Sequence, residues 1–178
     1  MQKILVEKID IASDNFKKLK EAMHISDRYE KTLVKLSGDG KAVLFGAKID
    51  GRYVGRVTLR HDWTDDSPNS GASVAIEDIF PRLPQVNALE VNENYRKQGV
   101  ASALMTAIEK EAIKQGFDKV GLGVEISNDP AKKLYEKLGY KYTKISGQDT
   151  YEIWFGDPEP KSYKCYLMTK ELTKGGRI

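Results

Sequence analysis

The 178-residue chain has the length of one ordinary domain, and its 40% hydrophobic and 31% charged residues exclude a disordered, collagenous or low-complexity protein. The formal charge of +3, from 29 Lys and Arg against 26 Asp and Glu, is too mild for a nucleic-acid-binding surface. The longest apolar runs are a few residues, far short of the roughly 18 that cross a bilayer, so no membrane association is expected. A single cysteine, Cys165, excludes an intramolecular disulfide and four-cysteine metal sites. With no apolar leader in MQKILVEKID, it sets the expectation of a reducing, cytoplasmic protein.

No internal repeat interrupts the chain, and one domain over residues 1–178 is expected. Residues 3–9 (KILVEKI) read as an opening strand. Ser13 or Asp14 then caps a helix with Phe16, Leu19 and Met23 at helical spacing, and a second helix carries Tyr29, Leu33 and Leu36. The runs 42–49 and 52–59, joined by Asp50-Gly51, form an antiparallel hairpin, because this dipeptide accepts the positive φ angles of a tight turn. From His61 to Phe80 the chain carries Asp62, Asp65, Asp66, Glu77 and Asp78 with no Lys or Arg, which reads as a long acidic loop.

Strand and helix then alternate. Residues 86–91 are strand-like, and after Gly99 the apolar positions Val100, Leu104, Ile108 and Ala112 mark a helix that stops at Gly116. Residues 119–126 form the next strand, so this stretch is a βαβ unit with parallel strands. Asp129 caps a further helix with Pro130 at its first position, Ala131, Leu134, Tyr135 and Leu138 on one face and Gly139 past its end. Strands at 140–145, 150–155 and 162–169 complete a mixed α/β sheet, antiparallel at its start and parallel in its middle.

The segment Arg96-Lys97-Gln98-Gly99-Val100-Ala101 lies between the 86–91 strand and its helix. The first turn of a helix has unpaired N–H groups and partial positive charge, Gly99 admits a ligand close to the backbone, and Arg96 and Lys97 add charge, so an anion such as phosphate belongs here. The chain contains no Gly-Lys-Ser/Thr, and this turn lacks the three spaced glycines of a dinucleotide fingerprint, so the phosphate binder is of another kind.

Arg96, Gly99 and Ala101 match the pattern Arg/Gln-x-x-Gly-x-Gly/Ala, and LEVNENYRKQGVASAL resembles the fourth strand, pyrophosphate turn and third helix of the GNAT superfamily of N-acetyltransferases. Asn128 through Tyr140 resembles that family's second motif, an Asn followed by Ala-x-x-Leu-Tyr-x-x-x-Gly-Phe/Tyr. The strong resemblance covers residues 86–142. It implies an α/β fold with a GNAT-like mixed sheet: antiparallel N-terminal strands, a central parallel βαβ unit, and splayed fourth and fifth strands. It also implies acetyl-CoA as cosubstrate, no metal, and transfer of the acetyl group to a primary amine of a small molecule or protein by direct attack.

By the same resemblance the backbone of Leu89 to Val91 pairs with pantetheine, and the amides of Lys97, Gln98, Gly99, Val100, Ala101 and Ser102, with Arg96 beside them, hold the pyrophosphate. Asn128 contacts the pantetheine or the adjoining part of CoA, Tyr135 protonates the departing thiolate, and the Val91 N–H meets the oxyanion. Some relatives carry a glutamate five residues before the Asn; here that residue is Gly123, leaving Glu90 as the leading candidate base and Glu125 behind it. Neither His24 nor His61 stands in a catalytic spacing, and Cys165 reads as a buried small hydrophobe. The acidic 61–80 segment would favour a cationic acceptor. A CoA-binding sensor or scaffold with little turnover is the alternative function, and a homodimer is compatible with the sequence.

Overall fold

The computed structural model describes residues 2–63, 70–155 and 159–173. In chain order the elements are β1 (Ile4–Ile9), α1 (Asp14–Ala22), α2 (Asp27–Gly38), β2 (Ala42–Ile49), β3 (Arg52–Arg60), β4 (Gly71–Ala72), α3 (Ile76–Ile79), β5 (Gln85–Val91), α4 (Val100–Lys114), β6 (Lys119–Glu125), α5 (Asp129–Lys137), β7 (Lys141–Thr143), β8 (Tyr151–Phe155) and β9 (Lys161–Glu171). They fall into two compact units, Met1–His61 with Val86–Gly116, and Asp62–Gln85 with Phe117–Ile178.

In the first unit β1, β2 and β3 pair antiparallel, from Ile4 opposite Ile49 to Ala42 opposite Arg60, and β5 lies beside β3. The hairpin turn forms as expected, with φ of 49° at Asp50 and 78° at Gly51, the two positive angles that match the twist of the flanking strands. Ser13 caps α1 by accepting from the Phe16 N–H, and Ser26 caps α2 by accepting from that of Tyr29. Phe16, Leu19 and Leu33 from these helices join Ile9, Ile25, Leu44 and Tyr53 in one buried cluster. The helix α4 buries Val100, Leu104, Met105, Ile108 and Ala112, the four-residue spacing read in the sequence with Met105 added. Within β5, Ala88 takes φ of 51°, a left-handed angle that breaks the regular strand one residue before the Leu89 to Val91 segment.

In the second unit β9 is central, pairing antiparallel with β6, β7 and β8, and β8 pairs with β4. Gln85, the first residue of β5, pairs parallel with Gly121 of β6. The result is a mixed α/β fold of mostly antiparallel strands with one parallel pair. Cys165, Leu167, Tyr151, Ile145, Ile76 and Leu83 form the core of this unit.

Two expectations are corrected. The 61–80 segment is not simply a loop: Gly71 and Ala72 form β4 on β8, and Ile76 heads the short α3. Tertiary packing overrides the turn-rich composition, because Gly71 leaves the space that the Trp154 indole fills, and Ile76 is buried to 2% exposure. Of the five acids, Asp65 and Asp66 lie outside the described residues, and Glu77 accepts from the Trp63 backbone N–H at 2.6 Å. The second correction concerns α5, whose N-cap is Asn128 and not Asp129: the Asn128 side chain accepts from the Ala131 N–H at 3.2 Å. Asp129 instead occupies the first helical position, where the helix dipole favours a carboxylate, and pairs with Lys132 at 2.8 Å.

Candidate active site

The first unit carries the turn at residues 96–101, the candidate anion site. After β5 the Asn92 side chain accepts from the Asn94 N–H at 3.1 Å and starts a single 3-10 turn, Glu93–Tyr95. Arg96 Nε donates back to the Val91 carbonyl at 3.3 Å, and Gln98 Nε2 donates to the Asn94 carbonyl at 3.1 Å, so side chains of the turn fasten it to the strand end. Lys97 and Gly99 both have left-handed φ, 60° and 89°. Residues 96–99 are exposed, whereas Val100 is buried to 1% and anchors the helix directly behind them. The N-cap of α4 is Gly99, which has no side chain to cap with, so the first-turn amides have no intrahelical acceptor and, among the described residues, no side-chain one. An exposed, uncapped helix start with two basic residues beside it fits a pyrophosphate.

Leu89, Glu90 and Val91 stand on β5 immediately before this turn. The Glu90 carboxylate is held by Arg56 of β3 in a two-point ion pair, Nε to Oε2 at 3.1 Å and Nη2 to Oε1 at 2.9 Å. Arg56 is only 7% exposed, and the Tyr29 ring of α2 lies under its guanidinium at 4.9 Å. The Tyr29 hydroxyl donates to Asn87 Oδ1 at 2.9 Å and shares a hydrogen bond with the Thr58 hydroxyl at 3.1 Å. Burial pushes this phenol above its ordinary pKa, with Thr58 and then Arg56 opposing the shift. This polar group behind Glu90 was missed in the sequence. Its signal was there, in the alternation Arg56-Thr58-Arg60 along one face of β3, but the burial of that face depends on α2.

The second unit carries Asn128 and Tyr135. Because the Asn128 oxygen caps α5, its side-chain NH2 is the group left to donate to a ligand. Tyr135 is half-buried on α5 among Ala131, Leu134 and Leu138, its ring 5.9 Å from that of Tyr140, and its hydroxyl makes no hydrogen bond among the described residues. Burial pushes its pKa up to about 12, so at neutral pH it holds its proton. Glu125 is exposed at the end of β6 and accepts from the Ser127 hydroxyl at 2.7 Å. Cys165 is 3% exposed and its thiol is pushed up to about 11 by burial and by Glu125, as befits an inert core residue. Among the described residues no group of three or more His, Cys, Asp or Glu is placed to hold a metal ion, and no helix is long and apolar enough to cross a membrane.

The raised phenols give a pH prediction. Between about pH 10 and 12 an unfolded chain has lost the protons of Tyr135 and Tyr151 while the folded one keeps them, so the unfolded state binds fewer protons and stability falls as pH rises through this window. Urea unfolding midpoints should therefore begin to fall near pH 9, where the Cys165 thiol, held up to about 11 in the fold, titrates first in the unfolded chain, and drop further by pH 11 as the phenols follow. A midpoint unchanged at pH 11 would show that these phenols titrate as freely in the folded protein as in the unfolded one.

The comparisons with known proteins identify the family. The acetyltransferase (GNAT) family model matches residues 9–140. An N-alpha-acetyltransferase from Sulfurisphaera tokodaii is 32% identical over 119 residues, covering 62% of this chain and 67% of that protein. Among solved structures, the ribosomal-protein-S18-alanine N-acetyltransferase from Escherichia coli superposes with a TM-score of 0.62 at 18% identity, covering 98% of this chain and 97% of that one. A putative acetyltransferase from Salmonella typhimurium, solved with its cofactor acetyl-CoA, gives 0.62 at 13% identity over 98% of this chain and 96% of that one. A model match over most of the chain, with the turn and both motif residues on the elements where the sequence puts them, shows that the chain belongs to the GNAT acetyltransferase family.

Proposed function

We propose that this chain is a single N-acetyltransferase domain that moves the acetyl group of acetyl-CoA to a primary amine by direct attack. The observation that carries the reading is the exposed, uncapped start of α4 behind Arg96, Lys97 and Gly99, a seat for the pyrophosphate. The amides of Gln98, Val100, Ala101 and Ser102 complete that seat, the backbone of Leu89 to Val91 takes the pantetheine, and the Asn128 NH2 donates to the same arm. In the transfer itself, the Val91 N–H stabilises the oxyanion and Tyr135 gives its proton to the departing thiolate. Glu90 takes the ammonium proton on the lone pairs that Arg56 leaves free, the ion pair fixing the direction in which it accepts. The naming of the Sulfurisphaera tokodaii relative as an N-alpha-acetyltransferase supports an α-amine at a peptide N-terminus as the acceptor.

The test is thiol release from acetyl-CoA in the presence of an alanine-initiated hexapeptide, the same peptide with its N-terminus blocked, spermidine and glucosamine. Release with the free peptide and none with the blocked one is expected. A second reading, a CoA-binding sensor or scaffold, is favoured by Gly123 and by the engagement of both Glu90 oxygens. It predicts that CoA raises the melting temperature while no amine releases thiol.

A further inference from the structure

In β6 the residues Gly121, Gly123 and Glu125 alternate onto one face. The first two leave it bare of side chains, and what lies above each is different. At Gly121 a Cβ would stand 2.8 Å from Leu83 Cδ2 and 3.0 Å from Trp63 Cζ2, so this end is roofed. The roof is fixed, since Trp63 Nε1 donates to the Leu83 carbonyl at 2.8 Å. Gly123 is exposed, and the atom nearest the place of its absent Cβ is the hydroxyl oxygen of Tyr151.

Tyr151 is 5% exposed, its ring packed with Ile76, Leu83, Ile145 and Cys165. Its hydroxyl nevertheless makes no hydrogen bond among the described residues. Burying an aromatic body while leaving its polar tip without a partner is costly unless something else meets that tip. Burial also pushes the phenol far above its ordinary pKa, so at neutral pH the oxygen is a neutral acceptor and donor.

We propose that this bare strand face is the seat of the acceptor's amino group: a primary ammonium lies over Gly123 and donates to the Tyr151 hydroxyl, with the Glu125 carboxylate on the same face supplying the opposite charge. The inference rests on the acetyl-transfer reading and gives it an acceptor subsite. Glycine at 123 and tyrosine at 151 are a matched pair, because any Cβ at 123 would displace the hydroxyl.

The experiment uses steady-state kinetics on the full chain with whichever of the alanine-initiated hexapeptide, spermidine and glucosamine the wild type turns over best. Tyr151→Phe, which keeps the ring, should raise the acceptor KM about tenfold and leave the acetyl-CoA KM and the Tm unchanged, the loss of one hydrogen bond to a charged group. Gly123→Ala should raise the same KM and also lower the Tm. In the double variant the nearest atom is Cζ at 3.6 Å, an ordinary contact, so the Tm should recover while the acceptor KM stays high. An unchanged acceptor KM in Tyr151→Phe overturns the subsite, as does recovery of the KM together with the Tm in the double variant. A wild type that turns over none of the three amines overturns the transfer reading itself, and the subsite with it.

Discussion

Replacing Tyr135 by phenylalanine is expected to lower kcat by at least about tenfold while acetyl-CoA binding stays nearly constant. The ring is half-buried on α5 and lies tilted against that of Tyr140, and phenylalanine preserves that packing. What is removed is a hydroxyl with no protein partner among the described residues, so little stability is lost with it. A general acid typically contributes about 100- to 10,000-fold, and water recovers part of that when the group is deleted. The loss should shrink when acetyl-CoA is replaced by an acetyl thioester of a more acidic thiol, since a better leaving group needs less help from a proton donor. Because the phenol holds its proton up to about pH 12, no alkaline limb from Tyr135 should appear in the wild-type kcat profile below about pH 11. Wild-type turnover in a folded Tyr135→Phe protein would return this residue to a packing role.

The Gly99→Glu substitution should abolish the rise in melting temperature that CoA produces in the wild type. A ligand at a hundred times its Kd stabilises the folded state by about 2.7 kcal/mol, a shift easily read by calorimetry. Glutamate at 99 brings a negative charge to the proposed seat of the pyrophosphate. It also imposes a side chain on φ of 89°, at a cost of about 1 to 2 kcal/mol. Gly99→Ala separates the two effects, because among the described residues beyond its chain neighbours the new Cβ would meet only Ile4 Cδ1, at 3.8 Å, so alanine adds backbone strain without crowding or charge. The alanine variant should melt lower than wild type yet keep its response to CoA. A full CoA response in a folded Gly99→Glu protein would remove the pyrophosphate from this turn.

The parts of the molecule legible in the sequence are those written by local chemistry. Asp50-Gly51 sets its hairpin through backbone angles that few other dipeptides adopt, and the four-residue spacing from Val100 to Ala112 marks the buried face of α4 without reference to the rest of the chain. The turn at 96–101 was legible because its residues serve both the backbone and the expected ligand. What escaped depends on distant partners. Gly71-Ala72 has no strand pattern of its own and becomes β4 only because β8 offers it an edge and Trp154 needs the space above the glycine. Arg56 looks like any surface cation until Tyr29, 27 residues before it in the chain, covers it and Glu90 closes on it. Asn128 and Asp129 are equally good caps in isolation; in the fold Asn128 takes the cap and Asp129, in the first turn, pairs with Lys132.

The lone cysteine gives the protein a practical property. Cys165 is closed off in the core with its thiol pushed up to about 11, so at neutral pH the folded chain offers almost no thiolate to a disulfide or maleimide reagent. Colorimetric detection of released CoA therefore has no background from the enzyme, and the reagents that follow turnover do not poison it. The same silence ends when the chain opens: labelling of this one sulfur counts unfolding events, and its rate across a denaturant series, with and without CoA, measures the ligand's grip on the native state without any catalytic readout.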